Sequence, residues 1–162
     1  MASTRTLILL AAATFLSGIL AGGATDRVIV GGPAWHELGA QAWAQYSRLA
    51  DLGPGLVAYP IEGVGSTLLI AAATLSNHFD HIVRRATTFS LYIALALSIG
   101  GLLLTVKAAP IMLGLGSSQS PLAVERAFGE FYFWGLYLRG FVDVLAFAVL
   151  VWALSNFRQP AS

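Results

Sequence analysis

The chain has 162 residues, 57% of them hydrophobic and only 10% charged, with a mean hydropathy of +0.74, which excludes an ordinary water-soluble domain and indicates an integral membrane protein. A net charge of +1 leaves no basic surplus for nucleic acid. The absence of cysteine excludes disulfides, thiolate metal ligands, iron–sulfur clusters and reduction of a quinone or epoxide by a vicinal dithiol.

The first apolar stretch, residues 6–22, is long enough to span, since about 20 residues cross roughly 30 Å of hydrocarbon. It also has the features of a secretory signal: Arg5, an apolar core and the small-residue run AGGA. It is taken here as a retained span. About thirty residues follow, DRVIVGGPAWHELGAQAWAQYSRLADLGPG, with Pro33 suited to a first helical turn and Gly53-Pro54 suited to an end. Trp35, Leu38, Ala42, Leu49 and Leu52 set against Glu37, Gln41, Gln45 and Arg48 make this segment an amphipathic, interfacial helix lying as a lid over the outer mouth of a bundle. Arg48 and Asp51, at i and i+3, read as a surface pair.

Residues 56–75 form the second span and 87–106 the third. Between them SNHFDHIVRRA carries adjacent Arg84 and Arg85, and Arg5 and Arg158 fall on the same side. That side is expected to be cytoplasmic. His78, Asp80 and His81 have a spacing able to clip a metal, but the neighbouring arginines oppose a cation, and a solvated connector is the preferred reading. A Gly/Ser-rich loop and a short helix after Ser120-Pro121 lead into the fourth span, 131–154. The fold class is therefore all-α: one integral membrane four-helix domain over 1–162, with an amphipathic helical segment between spans one and two.

Arg139 and Asp143 lie four residues apart inside the last span, and Glu62 lies inside the second. Ionisable groups in hydrocarbon face the bundle interior, pair with one another, or work on a substrate or proton. Rise per residue sets Glu62 and Arg139 at similar depths, each on the order of 10 Å in, where they are expected to be neighbours. Tyr59, Glu62 and Ser66 on one helix and Tyr132, Arg139 and Asp143 on the other form polar stripes able to line one cavity. The plainer alternative is an ion-pair network that only fixes helix register. His36 in the outer segment is able to move protons near neutral pH, or is simply a member of an interfacial aromatic belt.

The outer segment with its Pro-Ala-Trp/His element, YPIEG entering the second span and FYFWGLYLRGFVD in the last together resemble the small four-span membrane proteins of the anthrone oxygenase-like family, over nearly the whole chain. The resemblance implies a cofactor-free oxygenase acting on an anthrone-type aromatic polyketide, with Arg139 and His36 at the matching positions. Such chemistry needs a base, for which His36 or Glu62 is eligible, and a cation for the enolate oxygen, for which Arg139 is eligible. It also needs an aromatic pocket, which Trp35, Tyr59, Tyr132 and Trp134 could supply. Asp143 completes the candidate set, and no metal or cofactor is expected. The expected partners are an aromatic small molecule or lipid within a membrane, with a homo-oligomer or larger complex open, and the expected location is the bacterial inner membrane with both termini cytoplasmic. The competing readings are an accessory subunit of a larger membrane complex and a lipid or quinone carrier. An internal ligand-sized cavity would favour an enzyme, a filled core a subunit, and an open lateral cleft a carrier.

Overall fold

The computed structural model describes residues 2–79, 85–117 and 120–157, and among them every regular element is helical. Helix α1 (Ala2–Asp26) runs through a wide π-helical segment, Arg27–Gly31, into α2 (Gly32–Leu38). After α3 (Ala40–Leu49) come α4 (Gly55–Phe79) and α5 (Arg85–Gly114). Helix α6 (Pro121–Phe131) passes through a second π-helical segment, Tyr132–Leu138, into α7 (Arg139–Ser155). Four continuous helical stretches, Thr4–Leu38, Gly55–Phe79, Arg85–Gly114 and Pro121–Ser155, are long and apolar enough to cross a membrane. The chain is built as a membrane protein.

Long helices α1, α4, α5 and α7 pack as a ring in that order, each against two antiparallel neighbours. The spans outrun the apolar stretches read from sequence, most of all at the outer ends. There the first helix continues to Leu38 rather than ending near 22, the third to Gly114 rather than 106, and the last begins at Pro121 rather than 131. Hydropathy marks the part of a helix that lies in hydrocarbon, and these helices carry on past it.

Two apolar cores occupy the ends of the bundle. Leu10, Ala13, Ile70, Ala73, Leu91, Ala94, Leu150 and Ala153 fill the inner one, where alanines let the four backbones come close. The outer core is aromatic: Trp43 of α3 is fully buried, 5.2 Å from Phe128 and 5.5 Å from Phe131 between ring centroids, with Met112, Leu115 and Val124 around it. Between the cores lies a level of hydroxyls and glycines. There Thr67 Oγ1 and Ser98 Oγ share a 2.6 Å hydrogen bond between α4 and α5, and Thr67 also donates to Gly63 O. Without water to satisfy them, hydroxyls at this depth must bond helix backbone or one another.

The outer segment is two helices, not one amphipathic run. Gly39, at φ 88° and ψ 162°, turns the chain between α2 and α3 in a backbone region open essentially to glycine alone. Its N–H closes α2 on Trp35 O, and its carbonyl accepts from Ala42 N and Trp43 N to start α3. Arg48 Nε donates to Leu115 O, tying α3 to the outer end of α5.

Candidate ligand cavity

The two π-helical segments touch each other and bracket the site. Pro33 follows the first, and having no N–H it cannot make the α-helical bond to the carbonyl four residues before it. Gly135 lies within the second: a Cβ there would stand 2.6 Å from the Phe131 ring, so only glycine lets that ring fold back over the wide turn. Wide turns of this kind recur at functional sites. Arg27 opens the first segment, and Arg139 directly follows the second.

A cavity of about 250 Å³ lies among α4, α5 and the outer helices. Its wall is mainly apolar, with Leu52, Leu56, Val64, Leu102, Met112 and Phe131, and its polar side chains include Arg27, Asp51, Tyr59 and Arg139. Leu56, Val64 and Leu113 on its rim are exposed on the outside of the bundle, so the cavity reaches the lipid-facing surface. A smaller chamber of about 60 Å³ adjoins it, walled by Glu62, Asp143, Gly23, Gly135 and Gly140 together with Arg27, Tyr59 and Arg139, which serve both walls.

Asp51 is buried and in direct ionic contact with Arg27, not with Arg48 as a surface pair. Tyr59 Oη donates to Asp51 Oδ1 at 2.8 Å and accepts from Arg27, whose guanidinium also lies 4.7 Å from the Tyr59 ring centroid. This triad joins the first helix, the end of α3 and the start of α4. The sequence passes Arg27 over as a partner and joins Asp51 to Arg48 instead, because Arg27 and Asp51 are 24 residues apart and so share no helical periodicity. The available signal was a charge directly after an apolar helix, where an arginine either snorkels outward or turns in to a partner.

Arg139 and Glu62 share the small chamber but form no ion pair. Arg139 instead approaches Asp143 on its own helix, Nε to Oδ2 at 3.6 Å, beyond hydrogen-bond distance. Among the described residues its guanidinium donates no hydrogen bond. One nitrogen passes over Gly63, where a Cβ would be 3.9 Å away. Asp143 is buried, with Oδ1 packed against α5 where a Cβ at Gly101 would stand 3.0 Å off.

Of the residues singled out from sequence, the structure gathers Tyr59, Glu62, Arg139 and Asp143 at the two adjoining spaces. His36, Trp35, Tyr132 and Trp134 line neither. His36 is exposed on α2, its ring 6.0 Å from Tyr132 and 6.4 Å from Phe128. Trp35 packs on Tyr46 at 5.3 Å, Tyr132 meets the Tyr137 hydroxyl at 3.3 Å, and Trp134 stacks edge-on with Phe133. No residue of the lid helix α2 lines either space, and its Trp35 joins the outer core. His78 hydrogen-bonds the Tyr92 hydroxyl, while Asp80, His81 and Arg84 lie outside the described residues. Among the described residues no three His, Asp or Glu side chains converge as metal ligands.

Comparison with known protein families, curated proteins and solved structures finds no match to this chain.

Proposed function

We propose that the chain is a membrane-embedded oxygenase for a flat aromatic ketone of the anthrone type, acting without metal or flavin. The observation that supports this reading is Arg139, a guanidinium with no hydrogen-bond acceptor among the described residues on the wall of an apolar cavity. Donors held toward an apolar space favour a ligand whose oxygen gains negative charge there, because a low-dielectric wall strengthens that interaction over water. At about 250 Å³ the cavity is smaller than a typical drug-sized site and suits two or three fused rings.

In the proposed reaction a methylene between two aryl groups and conjugated to the ring ketone loses a proton to a base. The electron pair moves into an enolate whose oxygen rests against Arg139. The enolate passes one electron to dioxygen, the radical pair joins at the former methylene carbon as a peroxide, and loss of water leaves a carbonyl. One methylene and one dioxygen become one ketone and one water. Glu62, in the adjoining chamber, stands nearer this chemistry than His36 does.

Arg5 and Arg85, which lie at the end of the bundle opposite the cavity, support an orientation with both termini in the cytoplasm of a bacterial inner membrane, as do Arg84 and Arg158 by their places in the sequence. The exposed rim of Leu56, Val64 and Leu113 favours one second reading, a non-catalytic carrier for a membrane-dissolved quinone or lipid.

Oxygen consumption decides between them. Purified protein treated with chelator and freed of flavin is expected to consume oxygen with anthrone and release anthraquinone. Binding of anthrone without turnover moves the assignment to the carrier, and activity lost on chelation overturns the cofactor-free mechanism.

A further inference from the structure

The chamber beside the ligand cavity has a chemistry of its own. Its volume of about 60 Å³ exceeds that of one water molecule, whose share of the liquid is about 30 Å³. Glu62 and Asp143 offer acceptors on its wall, Arg27 and Arg139 offer donors, and Tyr59 a hydroxyl. A confined water needs two to four such partners.

The two carboxylates are not equivalent. Asp143 has Arg139 at 3.6 Å and the α5 backbone against Oδ1, so it is held from two sides. Glu62 has neither an ion pair nor a hydrogen bond among the described residues, and it lines the chamber but not the cavity. Arg27, Tyr59 and Arg139 stand between the two spaces as a shared wall.

We propose that the small chamber is a water-holding proton compartment for the ligand cavity, in which Glu62 takes up, through water, the proton that an enolisable ligand releases. This rests on the enolate-binding reading above. A carbon–hydrogen bond of the methylene that is conjugated through the aryl rings to the ligand's carbonyl breaks, its electron pair enters the enolate held at Arg139, and the proton passes by water to the Glu62 carboxylate. Reversal returns a proton to the same carbon, so the half-reaction balances with no oxidant.

The test is deuterium uptake at the anthrone methylene, followed by NMR in anaerobic D₂O with the full chain in detergent, beside anthrone affinity from equilibrium dialysis. The unaltered chain should accelerate uptake over buffer. Glu62→Gln should lower that acceleration by about a hundredfold, the scale of a lost general base, with affinity unchanged. Gly23→Val is the second variant: Gly23 lines the chamber from an exposed position at its mouth, and a Cβ there meets nothing within 4 Å, so the branched side chain enters open space and narrows the chamber's opening. It should slow uptake by about tenfold and leave affinity unchanged. Uptake by both variants at the unaltered rate overturns the compartment alone. No acceleration by the unaltered chain overturns the enolate reading together with it.

Discussion

Arg27 and Asp51 are in direct ionic contact across 24 residues of sequence, with the Tyr59 hydroxyl bonded to both. The pair fastens the end of α3 to the outer ends of α1 and α4, and its charges are largely withdrawn from solvent. Breaking such a pair on one side leaves an unmatched charge, at a cost of about 3–5 kcal/mol, whereas two apolar residues of similar volume cost much less. Arg27→Met and Asp51→Leu are each expected to lower thermal stability in detergent strongly, and the double substitution less than their sum. Additive losses in that cycle would show that the contact contributes no coupling.

Asp143 presses on α5 at Gly101, where there is no side chain. A Cβ at Gly101 would stand 3.0 Å from Oδ1, so Gly101→Ala must push the carboxylate or part the helices. The expected loss is about 1–3 kcal/mol, typical of overpacking. In Gly101→Ala/Asp143→Ala that loss should largely disappear, as measured by unfolding of each variant against its own parent.

The four spans were legible because stretches such as Leu56 to Leu75 are long and mainly apolar, and the common depth of Glu62 and Arg139 followed from rise per residue alone. That they form no ion pair was not legible. Depth fixes one coordinate of a side chain, while its azimuth depends on helix winding, and the π-helical segment before Arg139 rotates it relative to any 3.6-residue wheel drawn from Tyr132. Tyr132 and Trp134, at the start of that segment, line neither space. Asp51 was read with Arg48, its neighbour in sequence, because its partner Arg27 becomes close only once the chain has turned at Gly39 and folded back.

A lysine in place of Arg139 keeps the charge but loses the planar fork that can hold an enolate oxygen. Arg139→Lys is expected to cut oxygen consumption with anthrone by about a hundredfold, the scale of one lost oxyanion donor. His36→Ala and Arg126→Ala, both at exposed positions away from the two spaces, should turn over as the unaltered protein does. A large loss in His36→Ala would return the base to the outer helix.

Because the chain lacks cysteine, single cysteines report sidedness cleanly. Ala86→Cys at the start of α5 and Ser117→Cys beyond its end are both exposed, and a helix of this length sets them on opposite faces of the membrane. In sealed right-side-out vesicles an impermeant maleimide should label Ser117→Cys alone. Labelling of both without lysis would refute the spanning arrangement, and labelling of Ala86→Cys alone would invert it.

The rim formed by Leu56, Val64 and Leu113 changes what a dissociation constant for this cavity means. A molecule entering there comes from the acyl-chain phase, so the concentration that governs occupancy is moles per volume of lipid, not of buffer. Across a series of ligands that touch the same side chains, apparent affinity referred to total solution volume should climb with the bilayer partition coefficient. It should fall as lipid or detergent is added at fixed ligand, even though no contact inside the protein has changed.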